Sequence, residues 1–365
     1  MSVKKTGDKG LKTEELLRSY FLGSGFYVVR GMPFRSRSHD LTDIDLWVYE
    51  RSGTLSRRRV IIDVKDKARP QTAERIFFIQ GLAKILGVES AGIATSDNRP
   101  DIRDFARRNG LLYLDGADLQ RLKQSDKLTA AERWSEEDLN AAIAAADRGR
   151  GTQQLTVIYD LMKSSMADRF GSSSANYALE SLGTLARECV SAHPNSPAAK
   201  LCGRLCYLAV SMAAVGYDFA SADGILRPHS ERVKSLTEMV RFGTDAAGTM
   251  NQLKFAEQAV REYLPNGHGL AHVIRDKFLG ALAAVPAEAL AETIAKQSKN
   301  DVLFNVAREL ERAAFEIDIP SFDALSVEAK ALIGACLDFV DVDRPAFANA
   351  WIGEQKPKPA GGTLL

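Results

Sequence analysis

The chain has 365 residues, with 48 Lys or Arg against 47 Asp or Glu and 45% hydrophobic side chains. Such a length suggests two domains, or one large one, with ample material for a core. Four scattered cysteines (Cys189, Cys202, Cys206, Cys336), no charged-then-apolar leader and no run of about 18 uncharged apolar residues indicate neither secretion nor membrane spanning, so a cytoplasmic protein is expected. The charge is unevenly spread: residues 1–130 hold 24 basic and 17 acidic side chains, the remainder 24 and 30. The basic N-terminal part suits a polyanionic partner.

In chain order, residues 1–10 are basic and Gly-containing, and fraying is expected there. Thr13 can cap a helix over Glu14–Gly23, with Leu16, Leu17, Tyr20 and Phe21 at helical spacing. Phe26–Phe34 reads as a strand, followed by the basic loop Arg35–His39. Two strand-like runs come next, Asp43–Tyr49 and Val60–Lys65, joined by the Gly-containing linker Glu50–Ser56. A helix over Gln71–Leu86 stops at Gly87, Ser90–Thr95 is a short buried strand, and Pro100–Arg108 is a helix stopped at Asn109-Gly110. Leu111–Leu114 is a last strand, and Asp118–Lys123 a terminal helical turn or two. This order predicts an α/β domain over residues 1–124, a mixed central sheet flanked by helices on both faces.

From about Ser125 the strand signals vanish. Helical periodicity runs through Glu136–Asp147, Leu155–Phe170, Ala175–Ala192, Ala198–Val215, Ser230–Arg241, Leu253–Leu264, His268–Val285, Ala287–Lys296, Val302–Phe315 and Val327–Phe339. An all-α domain over residues 125–353 follows, and residues 354–365, rich in Lys, Pro and Gly, read as a disordered tail. His268 and His272, and Cys202 and Cys206, stand four apart as metal ligands on one helix face do. The histidines lack a third ligand, and the cysteines read better as small core residues.

The polar residues of the two central strands carry the chemistry. Side chains alternate across a strand, so Asp43, Asp45, Trp47 and Tyr49 are expected on one face, Ile44, Leu46 and Val48 on the other. Antiparallel pairing would bring Asp45 near Asp63 with Lys65 alongside. Two carboxylates and an ammonium at the end of an apolar sheet are costly to bury without a purpose, which suggests a metal site. Phosphodiester hydrolysis needs an in-line water and neutralisation of developing charge. Mg²⁺ or Mn²⁺ serves this when one or two carboxylates hold it and it keeps several waters. Asp45 and Asp63 would be those ligands, with the backbone carbonyl of Val64. Lys65 would sit beside the attacking water, and Glu14 from the first helix would bind a metal-bound water or a second ion. The Asp-x-Lys tripeptide alone is equally a surface salt bridge on an edge strand; only the constellation points to catalysis.

These pieces, in this order, resemble the PD-(D/E)xK or restriction-endonuclease-like nuclease superfamily, and within it the Mrr-type restriction endonucleases. Glu14 ahead of Gly25-Phe26 matches the first-helix Glu, Asp45 the Asp of the second strand, and Asp63-Val64-Lys65 the (D/E)xK tripeptide. Ala91–Ser96, Phe105–Gly110 and Leu114–Leu119, the last reading Asp-Gly-x-x-Leu from Asp115, are similar to the Mrr-type tail. The match spans roughly Thr13 to Lys123; no Pro precedes Asp45, and the tripeptide carries Asp where Glu is commoner. The resemblance implies a Mg²⁺-dependent endonuclease acting on nucleic acid, DNA first, in restriction or bacterial immunity. It also places Gln80, on the helix after the tripeptide, near the site.

Arg35, Arg37, Lys67 and Arg69 flank the expected site in loops and could touch phosphate, as could Arg57, Arg58 and Arg59, though an arginine-rich turn is also what a soluble hairpin looks like. Trp47 reads as core and Asp43 as a solvated strand-end carboxylate. The helical part does not disclose its job: recognition, regulation through a protein partner, and homo-oligomerisation all fit. Two alternatives to the nuclease remain. One is a nucleic-acid-binding module with a vestigial metal site; the other is a helical sensor or scaffold whose N-terminal domain acts only on assembly.

Overall fold

A computed structural model describes residues 5–36, 39–67, 71–124, 133–244 and 246–351. Its N-terminal part runs α1 (Lys5–Gly23), β1 (Tyr27–Ser36), β2 (His39–Arg51), β3 (Arg57–Lys65), α2 (Thr72–Leu86), β4 (Ser90–Thr95), α3 (Pro100–Arg108), β5 (Leu112–Leu114) and α4 (Gly116–Lys123). The strands form one sheet in the order β1-β2-β3-β4-β5. β1, β2 and β3 are antiparallel neighbours, whereas β3, β4 and β5 are parallel. The mixed sheet read from the sequence is present, with the parallel half where helices separate the strands.

Each face of the sheet has its own cover. Leu46, Val48, Val60, Ile62 and Val64 pack against Leu17 and Phe21 of α1 and Leu119 of α4. The opposite face carries Tyr27, Val29, Trp47, Tyr49, Ile61 and Ile93, which meet Ile76, Ile79 and Leu82 of α2 and a large helical body. That body comprises α5 (Glu136–Arg150), α6 (Gln154–Asp168), α7 (Ser172–Ser191), α8 (Pro197–Ala220), α9 (His229–Phe242), α10 (Ala246–Tyr263), α11 (Gly267–Ala284), α12 (Ala287–Gln297), α13 (Val302–Phe315), α14 (Val327–Phe339) and α15 (Arg344–Asn349). Trp47 and Tyr49 stack their rings 6.2 Å apart and both touch Phe170, just beyond α6. The apolar core is therefore continuous from the sheet into the helices, across the junction at 125–132 that lies outside the described residues.

Helix α8 is the axis of the helical body. Ser196 caps it by accepting from the Ala199 N–H, Pro197 opens it, and almost all of its length is buried. By length and composition this is the one helix among the described residues that could cross a membrane by itself, yet 89% of its apolar window is buried inside the protein. Cys202 and Cys206 lie on it as fully buried core residues, as expected. His268 and His272 sit exposed on α11. The expected tail, 354–365, lies outside the described residues.

Three local expectations change, the first at the loop expected over Arg35–His39, of which Arg35 and Ser36 lie in β1 and His39 in β2. Thr13 does not cap α1, which begins at Lys5; it is buried in mid-helix and its hydroxyl donates to Asp66 Oδ2 at 2.7 Å. Nor is the alternation of β2 unbroken. Leu46 and Val48 face α1 as expected, but Ile44 lies with Trp47 and Tyr49 on the helical side, and Met32 and Phe34 of β1 lie there with Tyr27 and Val29. The phase of both strands thus slips by one residue where Gly31 faces Asp45. Gly31 has φ +56°, a left-handed conformation that an L side chain rarely adopts.

Candidate active site at the slip in strands β1 and β2

The slip sets Asp45 free from its ladder. The β2–β3 register runs from Arg51↔Arg57 to Leu46↔Ile62, which would next pair Asp45 with Asp63. Instead the Asp45 side chain fills the gap: its Oδ2 accepts from the Val64 main-chain N–H at 2.7 Å. The same oxygen lies 3.2 Å from Lys65 Nζ, and Asp63 Oδ1 lies 3.3 Å from that nitrogen. One ammonium thus touches both carboxylates, and the two oxygens are separated by less than twice that distance. Asp45, Asp63 and Lys65 converge in the way their spacing implied, whereas at Val64 it is the main-chain N–H, not the expected carbonyl, that meets Asp45.

Helices on both faces complete the cluster. From α2, Arg75 grips Asp63 with a two-pronged contact, Nε to Oδ2 at 3.0 Å and a second guanidinium nitrogen to Oδ1, and rests on the ring of Phe78 4.0 Å away. From α1, Glu14 approaches close enough for the charges of Asp45 and Lys65 to act on it. Burial pushes the Glu14 carboxyl up to about 7, the Asp45 charge adds to the rise, and Arg30, donating at 3.1 Å, opposes it. Asp45 is also raised, chiefly by burial and further by Asp63, against the pull of Lys65. Arg30 is shared with Glu15 at 3.0 Å and Glu137 of α5 at 2.6 Å, so Glu14 holds only part of it. Three carboxyls thus share Lys65, Arg75 and part of Arg30, and two of the three, Glu14 and Asp45, are raised.

Arg75 is the residue that sequence reading missed. The signal was there: a basic side chain beside buried Ile76 in the first turns of the helix that follows the tripeptide. Gln80, read as the polar residue of that helix, instead donates to the Asn109 carbonyl at 3.1 Å, away from the cluster. The flanking basic residues divide. Arg35 pairs with Asp40 at 2.6 Å beside an open cleft lined by Asp43 and Asp160, and Lys67 is exposed. Arg37 and Arg69 lie outside the described residues. Of the hairpin arginines, Arg57 is turned inward onto Asp218 at 2.8 Å, Arg59 pairs with Glu89 at 2.7 Å, and only Arg58 stays largely exposed.

Among the described residues no three His, Cys, Asp or Glu side chains are grouped as a ready-made metal cage. Two carboxylates held apart by one ammonium, with a third acid raised by burial and by the Asp45 charge, nonetheless fit a hard cation that takes few protein ligands and keeps its waters. Comparison with family models, curated proteins and solved structures finds no match to this chain.

Proposed function

We propose that the chain is a metal-dependent nuclease of the restriction-endonuclease-like fold, hydrolysing phosphodiester bonds in nucleic acid, with DNA as the first candidate. One observation carries the reading: Asp45 and Asp63 converge on Lys65 at a paired slip of β1 and β2 that frees Asp45 from the ladder. Asp45 and Asp63 would hold Mg²⁺ or Mn²⁺, with Val64 contributing main chain beside them. Such an ion supplies Lewis-acid neutralisation of the phosphoryl oxygens. Lys65 places a positive charge where the attacking water loses its proton. Glu14, half-protonated at neutral pH, is in the range where a carboxyl can accept that proton. Arg75 fixes the Asp63 carboxylate in one orientation.

The test is incubation of the full chain with supercoiled plasmid, single-stranded DNA and RNA, with Mg²⁺ or Mn²⁺ and with EDTA. Cleavage is expected with metal and lost with EDTA. Lys65→Ala should lower the rate at least about a hundredfold while the fold persists, since a side chain 24% exposed leaves the core untouched. Wild-type cutting by Lys65→Ala would make Lys65 structural and sink the mechanism. A second reading is favoured by Arg75: with Asp63 already gripped on both oxygens, the cluster can serve as a structural ion knot in a nucleic-acid-binding module. Binding that weakens with salt, without cleavage of any of the three substrates, would select it.

A further inference from the structure

We propose that the cavity between the end of α8 and helix α9 binds the phosphate group of a small, hydroxylated phosphate monoester. It measures about 110 Å³ and is lined by Ser221, Asp223, Arg227, Arg232, Ser235 and Ser298, among others. That is several times the room one water needs, about 10–15 Å³.

The argument starts from Arg232. Five arginines are buried among the described residues: Arg18, Arg30, Arg51, Arg204 and Arg232. Arg18, Arg30 and Arg51 each meet carboxylates, and Arg204 donates to the carbonyls of Ala314, Glu316 and Ile317. Arg232, 4% exposed, forms no ion pair among the described residues. It reaches only Ser298 Oγ at 3.4 Å and His229 Nδ1 at 3.1 Å, and its Nε has no acceptor. His229 is turned so that Nε2 lies 3.0 Å from both Glu292 oxygens; Nε2 therefore carries the proton, and Nδ1 offers Arg232 a neutral lone pair. A buried guanidinium with neutral acceptors lacks its counter-charge. A phosphate brings that charge, with oxygens spaced to match the guanidinium fork.

The other lining groups set the ligand class. Arg227 supplies a second cation at the exposed rim, its Cδ 4.0 Å from where a Cβ on Gly224 would stand. Asp223, the one acid among the lining residues, repels a bare phosphate dianion but accepts from a hydroxyl, which favours a monoester that carries one. Ser298 makes the wall rigid: its Oγ receives Arg232 while its carbonyl receives Arg51 of β2 at 3.1 Å.

The experiment titrates the full chain with inorganic phosphate and with glycerol 3-phosphate at constant ionic strength, following the melting midpoint and the heat of binding. A saturable rise in midpoint is expected for both, larger for glycerol 3-phosphate. Arg227→Ala, at an exposed position, should weaken both by about tenfold. Ser235→Leu, which fills the cavity, should abolish the response. Arg232→Gln should do the same, and because that position is buried the two other variants decide the matter should it fail to fold. No saturable response to either compound overturns the proposal, as does a response that survives Arg227→Ala and Ser235→Leu. Equal affinity for the two compounds overturns the monoester assignment.

Discussion

The two ends of strand β2 each gather buried charge, to opposite effect. At the Tyr49 end, Asp218 of α8 is fully buried and receives the Tyr49 hydroxyl at 2.6 Å, Arg57 Nε at 2.8 Å and a nitrogen of Arg51, whose Nε meets Asp301 at 2.6 Å. Two guanidiniums face two carboxylates, and all but Asp301, whose side chain is 49% exposed, are shut between sheet and helix. At the Asp45 end Glu14, Asp45 and Asp63 share Lys65, Arg75 and part of Arg30, and the side chains of Lys65 and Arg75 remain 24% and 28% exposed. The closed cluster is finished by protein alone. The open one keeps two raised carboxyls, Glu14 and Asp45, beside cations that stay partly exposed.

The largest effect should come from breaking the closed end. Asp218→Ala leaves Arg51 and Arg57 buried beside one another without their shared acceptor, and should cost about 3–5 kcal/mol in denaturant unfolding. Asp45→Ala should cost less than about 1 kcal/mol, because it relieves a like-charge contact with Asp63 even as Val64 loses an acceptor. Equal losses at the two positions would erase the distinction between them.

Sequence reading foresaw one end of β2 and not the other, for a physical reason. Asp45, Asp63 and Lys65 lie within 20 residues on adjacent strands, so the period-two rule and one hairpin bring them together. Tyr49 and Asp218 are 169 residues apart, and only packing of α8 on the sheet pairs them. Arg57, for which a phosphate contact and an ordinary solvated hairpin position both stood open, instead pairs with that distant acid. The slip at Gly31 and Asp45 escaped notice because alternation was applied to β2 alone, whereas the irregularity belongs to two strands at once. Thr13 misled as a cap because Thr-Glu-Glu is a strong local start signal; burial of its hydroxyl against Asp66 lets the helix run on through it. Helix α15 went unread, although Asp343 accepts from the Ala346 N–H and Pro345 follows, because six residues are too few to show periodicity.

A smaller effect sharpens the comparison at the open end. Glu14 titrates near 7 in the folded chain against an ordinary value of 4.5. A raised acid contributes stability that is full below its ordinary value and is lost as pH climbs through the folded one, here between about pH 4.5 and 7. With the side chain 15% exposed, the loss comes to about 2 kcal/mol. Glu14→Gln keeps the acceptor for Arg30 and cannot ionise, so it should exceed the wild type in stability by about that amount at pH 8 and match it near pH 4. A gap that is the same at both pH values would mean that Glu14 ionises as an ordinary surface acid.

The smallest change in stability, and the finest test, concerns Arg75. Arg75 is 28% exposed in its pairing with Asp63, Lys65 still meets that carboxylate, and the ring contact with Phe78 is modest, so Arg75→Ala should lower stability by no more than about 1 kcal/mol. Its effect on cations should run the other way. The guanidinium engages both Asp63 oxygens, so a divalent ion seeking that carboxylate must displace one of those contacts. Removing Arg75 frees the carboxylate and takes a positive charge from the site, and Mn²⁺ affinity measured by calorimetry or electron paramagnetic resonance should tighten several-fold. Were Arg75 instead needed to aim Asp63 at the ion, the same variant would bind Mn²⁺ more weakly. Both outcomes leave the fold intact, so the direction of the change decides whether Arg75 competes with the cation or prepares its place.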